Sequence, residues 1–328
     1  MIESAAQTLD GWIHWFCECG LWPDYTFFNL EFNVRMLLAI VFIAMVCGAV
    51  GSLMVANRMA FFSDALAHCA FAGVALGLLF AILSKITVKD FIEWIFLIMV
   101  IFGISMGLGI AWVREKTSLA SDTVIGVFFA GAMGFGAMLL SATGGRGFSL
   151  EDFLFGSPQS ALATHLLLLI FLVVVTALFL YWNYNSLVFT SFNTSLARSR
   201  RVSVRLCNYL FIALLGLIVN VCLQIVGALL INGLLIVPAA TAANLSRNMR
   251  QMFWWSMGLC QGVGLLGIYL SWQISLPDPA QAEPIKFGVS GTIVVLSVLV
   301  FFVSMILGPR FRDRLRSSPR EPAQGLQA

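Results

Sequence analysis

Met36-Leu-Leu-Ala-Ile-Val-Phe-Ile-Ala-Met-Val-Cys-Gly-Ala-Val-Gly-Ser-Leu-Met-Val-Ala56 runs without a charged side chain, and Asn57-Arg58-Met59-Ala-Phe-Phe-Ser63-Asp64-Ala-Leu-Ala-His68 follows it. About 20 apolar residues in an α-helix cross the ~30 Å hydrocarbon core of a bilayer, so the first part reads as a membrane span. The second part breaks that pattern with polar residues and then resumes it, as a turn and the start of a second span would. Working outward, apolar runs of similar length recur near 64–84, 91–113, 122–141, 161–182, 205–223, 226–245, 252–274 and 287–307. The sixth and seventh runs are nearly fused, interrupted only by Asn220, Gln224 and Gly227. The pattern therefore predicts an all-α, polytopic transmembrane helix bundle of nine spans, or of eight with one broken or re-entrant element.

Composition agrees. The 328 residues are 60% hydrophobic and 11% charged, with a mean hydropathy of +0.93, where a soluble domain carries roughly 25% charge. The net charge of +3 and the lack of any basic stretch interleaved with aromatics exclude a nucleic-acid partner; membrane lipid is the partner that the composition implies. Seven cysteines, odd in number and mostly inside apolar runs, do not form a disulfide framework. Residues 1–34 hold Glu3 and Asp10 where a secretory signal would be basic, and Trp12, Trp15, Trp22, Phe27 and Phe28 mark an external or interfacial segment. Residues 35–308 form the transmembrane domain, and 309–328 a basic cytoplasmic tail.

Lys and Arg set the orientation. With an external N-terminus, fourteen of the nineteen fall on one side, among them Arg58, Arg114, Lys116, Arg198, Arg200, Arg201, Arg205, Arg247, Arg250 and five beyond residue 309. That side is cytoplasmic by the positive-inside rule, and the C-terminus lies there. Two crossings between residues 205 and 246 are favoured, because the arginines flanking that run then face the same compartment.

Ionisable groups inside a span are costly and mark function. Asp64 and His68, spaced i, i+4, share a helix face and offer a carboxylate oxygen and an imidazole nitrogen to one cation, a set suited to Mn²⁺, Fe²⁺ or Zn²⁺. The alternative is an Asp that caps the helix start and a His bonded to a neighbouring helix. Ser63, Asn220, Gln224 and Pro238 are further candidates for lining or gating a path, although Asn220, Gln224 and Asn232 equally suit hydrogen bonds between helices. Pro238 is expected to kink its span and free a carbonyl. His14, Cys17 and Cys19 in the outer segment could touch metal, without the four well-spaced ligands of a structural site. Small residues at Gly103, Gly107 and Gly109, and at Gly126, Ala130, Gly134 and Ala137, predict close helix packing. No lysine follows a glycine, so no phosphate-binding loop exists in the chain and any ATPase must be a separate subunit.

The run from Gly51 to His68, continuing to Gly73-Val74-Ala75, resembles the signature of the metal-specific ABC importer permeases. Asp122-Thr-Val-Ile-Gly126, Leu154-Phe155-Gly156, Gln224-Ile-Val-Gly227 and Leu235-Ile-Val-Pro238 match in the same order, and the resemblance covers about residues 36–307. It implies a permease subunit in a bacterial inner membrane that imports manganese, zinc or iron and holds no permanent cofactor. It also implies a second permease protomer, in a homodimer or heterodimer, a cytoplasmic ABC ATPase and an external metal-binding receptor. Asp64 and His68 fall at the family's metal-path positions. Leu196 and Ala197, with Arg198, Arg200 and Arg201, fall in the segment that docks on the ATPase. Asn193 and Arg201 depart from the Asp and Gly usual there, and the external loop Pro277–Pro284 is longer than expected. A proton-coupled secondary transporter, with Asp64 and His68 as a proton relay, is the competing reading.

Overall fold

A backbone in hydrocarbon has no water to bond, so each apolar run closes its N–H and C=O groups on themselves as a helix. The computed structural model describes residues 2–18, 27–85, 91–143, 156, 158, 162–192, 203–276 and 285–316. In chain order these form α1 (Ile2–Glu18), a short 3-10 turn (Phe27–Asn29), α2 (Glu31–Ala56), α3 (Ala60–Leu83), α4 (Ile92–Lys116), α5 (Ser121–Ala142), α6 (Ala163–Phe192), α7 (Val204–Leu245), α8 (Met249–Gln273) and α9 (Val289–Arg316). The helices α2 to α9 are long and apolar enough to cross a membrane, eight in all among the described residues. Apart from them and α1, Ser275–Leu276 pairs antiparallel with Ile285–Lys286 and brackets the loop that begins at Pro277. That loop lies outside the described residues. The helix α9 runs on to Arg316, through part of the stretch that the sequence assigns to the tail.

The count of spans turns on α7. Its 42 residues would extend roughly 63 Å at 1.5 Å per residue, about twice the hydrocarbon thickness. At Gly227 the backbone adopts φ 80° and ψ 166°, a conformation open to glycine almost alone, and the helix breaks there. Gly156 lies directly against the backbone of Val226 and Gly227, where no side chain fits.

Contacts along the two arms fix their directions. The first arm runs antiparallel to α4: Arg205 pairs with Glu115, Gly216 meets Ile104, and Asn220 meets Gly103. The second arm runs parallel to α9, with Gly233 against Val294 and Asn244 Nδ2 donating to Ser304 Oγ at 3.4 Å. In turn α8 is antiparallel to α2, with Gly48 against Met257 and Gln261 Nε2 donating to the Val41 carbonyl at 2.8 Å. The start of α8 therefore lies at the Ala56 end of the bundle. A cleft of about 510 Å³ there gathers Arg58, Met59, Arg114, Glu115, Ser191 and Arg205, so the start of α7 is at that end too. Both ends of α7 sit on one side, and the chain passes nine times among the described residues. The break that divides α7 is at Gly227. Through Pro238 the torsions stay helical, so the sharp kink expected at the proline is not there.

The bundle is organised around α7, which packs against α2, α3, α4, α6, α8 and α9. Arg35 in α2 bonds both Glu31, at 2.9 Å, and Asp10 of α1, at 3.0 Å, which ties the N-terminal helix to the first span. The turn between α2 and α3 is a Schellman closure: Met59 N–H donates to the Met54 carbonyl and Arg58 N–H to that of Val55. Arg58 holds the left-handed position, at φ 56°, that glycine usually takes.

Candidate functional site

The helix α3 begins at Ala60 behind Met59, with no side-chain cap. Asp64 is thus the fifth helical residue and does not cap the helix start. One turn on, His68 Nδ1 is 2.9 Å from the Asp64 backbone carbonyl and 3.5 Å from Asp64 Oδ1. In a neutral imidazole, an Nδ1–H that donates to a backbone carbonyl leaves Nε2 with its lone pair. The Phe129 ring of α5 packs edge-on against the imidazole, centroids 4.8 Å apart. Both side chains stay accessible, 43% for Asp64 and 21% for His68, in a stretch of α3 whose neighbours are buried.

A third residue joins them. Asn232, five positions past the Gly227 break on the second arm of α7, donates from Nδ2 to Asp64 Oδ1 at 2.7 Å. The spacing of the sequence could not choose between helix glue and path lining for this asparagine. The signal that could have singled it out is an amide in an apolar run five residues beyond a glycine matched by the resemblance.

The other candidates separate. Ser63 is buried and its hydroxyl donates to Ala60 O at 3.2 Å, a local bond. Asn220 is fully buried; its Nδ2 donates to Gly216 O at 2.6 Å, and its side chain fills the space that a Cβ on Gly103 would need. It joins α7 to α4. Gln224 is exposed on the first arm. Pro238 is buried on the second arm, and the carbonyl of Leu234, four residues before it, accepts from Cys260 Sγ of α8 at 3.5 Å. The proline does free a carbonyl, and the thiol supplies its donor.

In the N-terminal segment, His14 Nε2 is 3.9 Å from Glu31 Oε1. Among the described residues no three His, Cys, Asp or Glu side chains gather as a metal cluster. Cys19, Leu196, Ala197, Arg198, Arg200 and Arg201 lie outside the described residues.

Of the small-residue stripes, Gly103 and Gly107 are contact points, against Asn220 and against Leu66. Gly126 and Gly134 of α5 meet nothing, and Ala130 between them is exposed. Among the described residues nothing meets that face of α5 at these glycines, and Phe129 beside it reaches the His68 ring.

Comparison with known proteins supplies the setting. Residues 29–308 match the model of the ABC 3 transport family. The chain is 27% identical to the manganese import system permease protein ScaB of Streptococcus gordonii, over 87% of this chain and 94% of that one. It is 25% identical to the high-affinity zinc uptake system membrane protein ZnuB of Haemophilus influenzae, over 67% of this chain and 80% of the relative. Among solved structures, PsaBC from Streptococcus pneumoniae in complex with Fab superposes with a TM-score of 0.69 at 23% identity, covering 88% of this chain and 96% of that one.

Proposed function

The chain belongs to the ABC 3 transport family, and from that membership we propose that it is the membrane permease of an ATP-driven importer for manganese or zinc. The relatives cited are named for those two metals, and iron finds no support among them. The metal is cargo, and no resident cofactor is part of the reading.

The observation that carries the proposal is the accessible Asp64–His68 pair within a span. A divalent ion loses most of its hydration on entering the bilayer, and a carboxylate with an imidazole lone pair one turn away replaces part of that shell. The charge of Asp64 matters more than its shape, because it offsets the desolvation of the cation. A proton relay could use the same pair, but family membership favours coupling to an ATPase.

The remaining parts follow from the same reading. A separate ABC ATPase docks from the cytoplasm on the segment near 193–204, where Leu196, Ala197, Arg198, Arg200 and Arg201 stand. The arginine-bearing end of the bundle is cytoplasmic, and the opposite end meets an external metal-binding receptor. A second protomer packs on the open face of α5 beside His68, so that the two metal pairs flank one path. The whole sits in a bacterial inner membrane.

The test is metal uptake by the permease reassembled with its ATPase and receptor in liposomes. Asp64→Asn and His68→Ala are each expected to lower manganese or zinc uptake more than ~10-fold while the complex still assembles. Normal uptake by Asp64→Asn would take the residue off the path. A proton uncoupler added while ATP is supplied should leave wild-type uptake intact; its collapse would establish the proton-driven alternative.

A further inference from the structure

Asn232 holds Asp64 with its amide nitrogen, and its own oxygen has nothing to do. That Oδ1 is buried and has no hydrogen-bond partner. A buried acceptor without a donor is disfavoured in any protein, and more so inside a membrane. Three such side-chain oxygens on helices α6 to α8, those of Thr176, Asn220 and Ser256, share this condition. Only Asn232 is bonded to a carboxylate of the candidate site. Its two amide atoms are attached to one carbon, so an oxygen whose sister nitrogen is 2.7 Å from Asp64 Oδ1 lies within a cation's reach of the same carboxylate.

We propose that Asn232 is the third residue of the metal site: its N–H sets the orientation of Asp64, and its unpartnered amide oxygen is a ligand for the passing cation. This rests on the reading of Asp64 and His68 as transient metal ligands. The donor set is then a carboxylate oxygen, an amide oxygen and one imidazole nitrogen from two helices. The set holds no thiolate. Amide and carboxylate oxygens suit Mn²⁺, whereas sites selective for Zn²⁺ rely on nitrogen and sulfur. Asn232 therefore biases the site towards manganese, and it does so from the arm of α7 that begins at the Gly227 break. A movement of that arm away from α3 would separate the amide oxygen from the Asp64 carboxylate, which gives the protein a means of releasing the ion.

The experiment measures binding and transport in the reassembled complex of permease, ATPase and receptor. Binding is read with Mn²⁺ alone, by its electron paramagnetic resonance signal on the purified permease. Transport is read as the uptake of manganese and of zinc by proteoliposomes. Asn232→Leu, close in volume but without either amide atom, is expected to weaken Mn²⁺ binding about tenfold and to lower the manganese-to-zinc uptake ratio, with the ATPase still bound. Asn232→Asp keeps an oxygen donor and adds charge, so it should bind Mn²⁺ at least as tightly as the wild type and release it more slowly.

Wild-type affinity and an unchanged uptake ratio in Asn232→Leu, with Asp64→Asn inactive beside it, would overturn the inference and leave the metal pair standing. Normal transport by Asp64→Asn would overturn the underlying reading instead. If Asn232→Leu does not assemble, Asn232→Ala takes its place, since it also removes both amide atoms: wild-type Mn²⁺ affinity and an unchanged uptake ratio there would exclude a ligand role for the oxygen.

Discussion

The helices α7 and α9 have most apolar stretches of the same mean hydropathy, 2.5, yet 83% of that stretch is buried in α7 and 28% in α9. In water such sequences would both be core. In a bilayer the solvent is as apolar as leucine, so hydropathy shows that a helix is in the membrane and says little about which neighbour it faces. What separates them is the distribution of small and polar residues. In α9 the serines at 290, 297 and 304 are buried, while Val295, Leu299, Phe302 and Ile306 are exposed. The large apolar side chains face out and the small hydroxyl residues face in. Along α7 the small and polar residues Gly216, Asn220, Gly227, Gly233 and Thr241 are buried, and Gly216, Asn220 and Gly233 lie on contacts with α4 and α9.

The sharpest way to break the comparison is at Gly227. A side chain there would be forced into a backbone region closed to L-residues, and its neighbour Gly156 leaves no room for the break to shift. Gly227→Val should cost more than ~4 kcal/mol and abolish folded protein in detergent, measured by the recovery of monodisperse material. The same size of change on the exposed face of α9, Leu299→Ala, should stay within ~0.5 kcal/mol. Comparable losses at both positions would mean that burial does not distinguish these helices energetically.

A second test sharpens what buried polar residues contribute. Gly103→Leu would collide with the Asn220 side chain, which already occupies the space of a Cβ, and overpacking of this kind costs about 1–3 kcal/mol. Combining it with Asn220→Ala should restore part of the loss, because the cavity left by the amide receives the leucine. A double-mutant cycle on thermal unfolding in detergent reads the coupling, and additivity of the two changes would show that the pair is not in contact.

These tests also mark what could be read in the chain. The span positions, the all-α class and the reversal between 205 and 246 follow from run lengths and from the placement of arginines, because the bilayer imposes a length and a charge asymmetry. Asp64 and His68 stand out as candidates for a similar reason: ionisable groups inside a span are rare. Asn232 is not legible as a partner of Asp64. It is 168 positions away along the chain, and an amide in a span bonds whatever the packing brings to it. Nor could the pattern of small residues distinguish Gly103, which is packed, from Gly126, which faces open space, since both sit on helices of nearly the same composition. The kink expected at Pro238 is absent, its freed carbonyl taking a donor from Cys260, and the break is at Gly227, whose torsions leave the helical region.

A third test exchanges the two faces of α9. Ser297 is buried and donates to Val294 O at 2.7 Å, so Ser297→Leu forces a larger side chain into the contact with the bundle and should cost about 1–3 kcal/mol. Val295→Leu, on the outward face, should change stability by less than ~0.5 kcal/mol. If the outward substitution is the more damaging one, that face is covered by protein, as a protomer contact would require, and cross-linking between cysteines placed at 295 would then identify the partner.

The smallest effect is expected where the chain pays for a turn with an unfavourable residue. Arg58 adopts φ 56° at the end of α2, in the left-handed region that costs a non-glycine residue about 1–2 kcal/mol. Glycine avoids that cost but has more conformational freedom to lose on folding, which returns roughly 0.4–1 kcal/mol of the gain. The balance predicts that Arg58→Gly stabilises the protein by about 0.5–1 kcal/mol, a rise of a few degrees at most in the unfolding midpoint. Arg58→Ala separates backbone from charge, because alanine loses the guanidinium but keeps the strained torsion. It should therefore fall at or slightly below the wild type. The arginine is exposed and among the described residues has no ion pair, so no lost contact should mask the difference. Equal midpoints for the glycine and alanine variants would show that the turn stores no strain, and a gain in both would place the cost in the charge of Arg58 among the neighbouring arginines of the cleft.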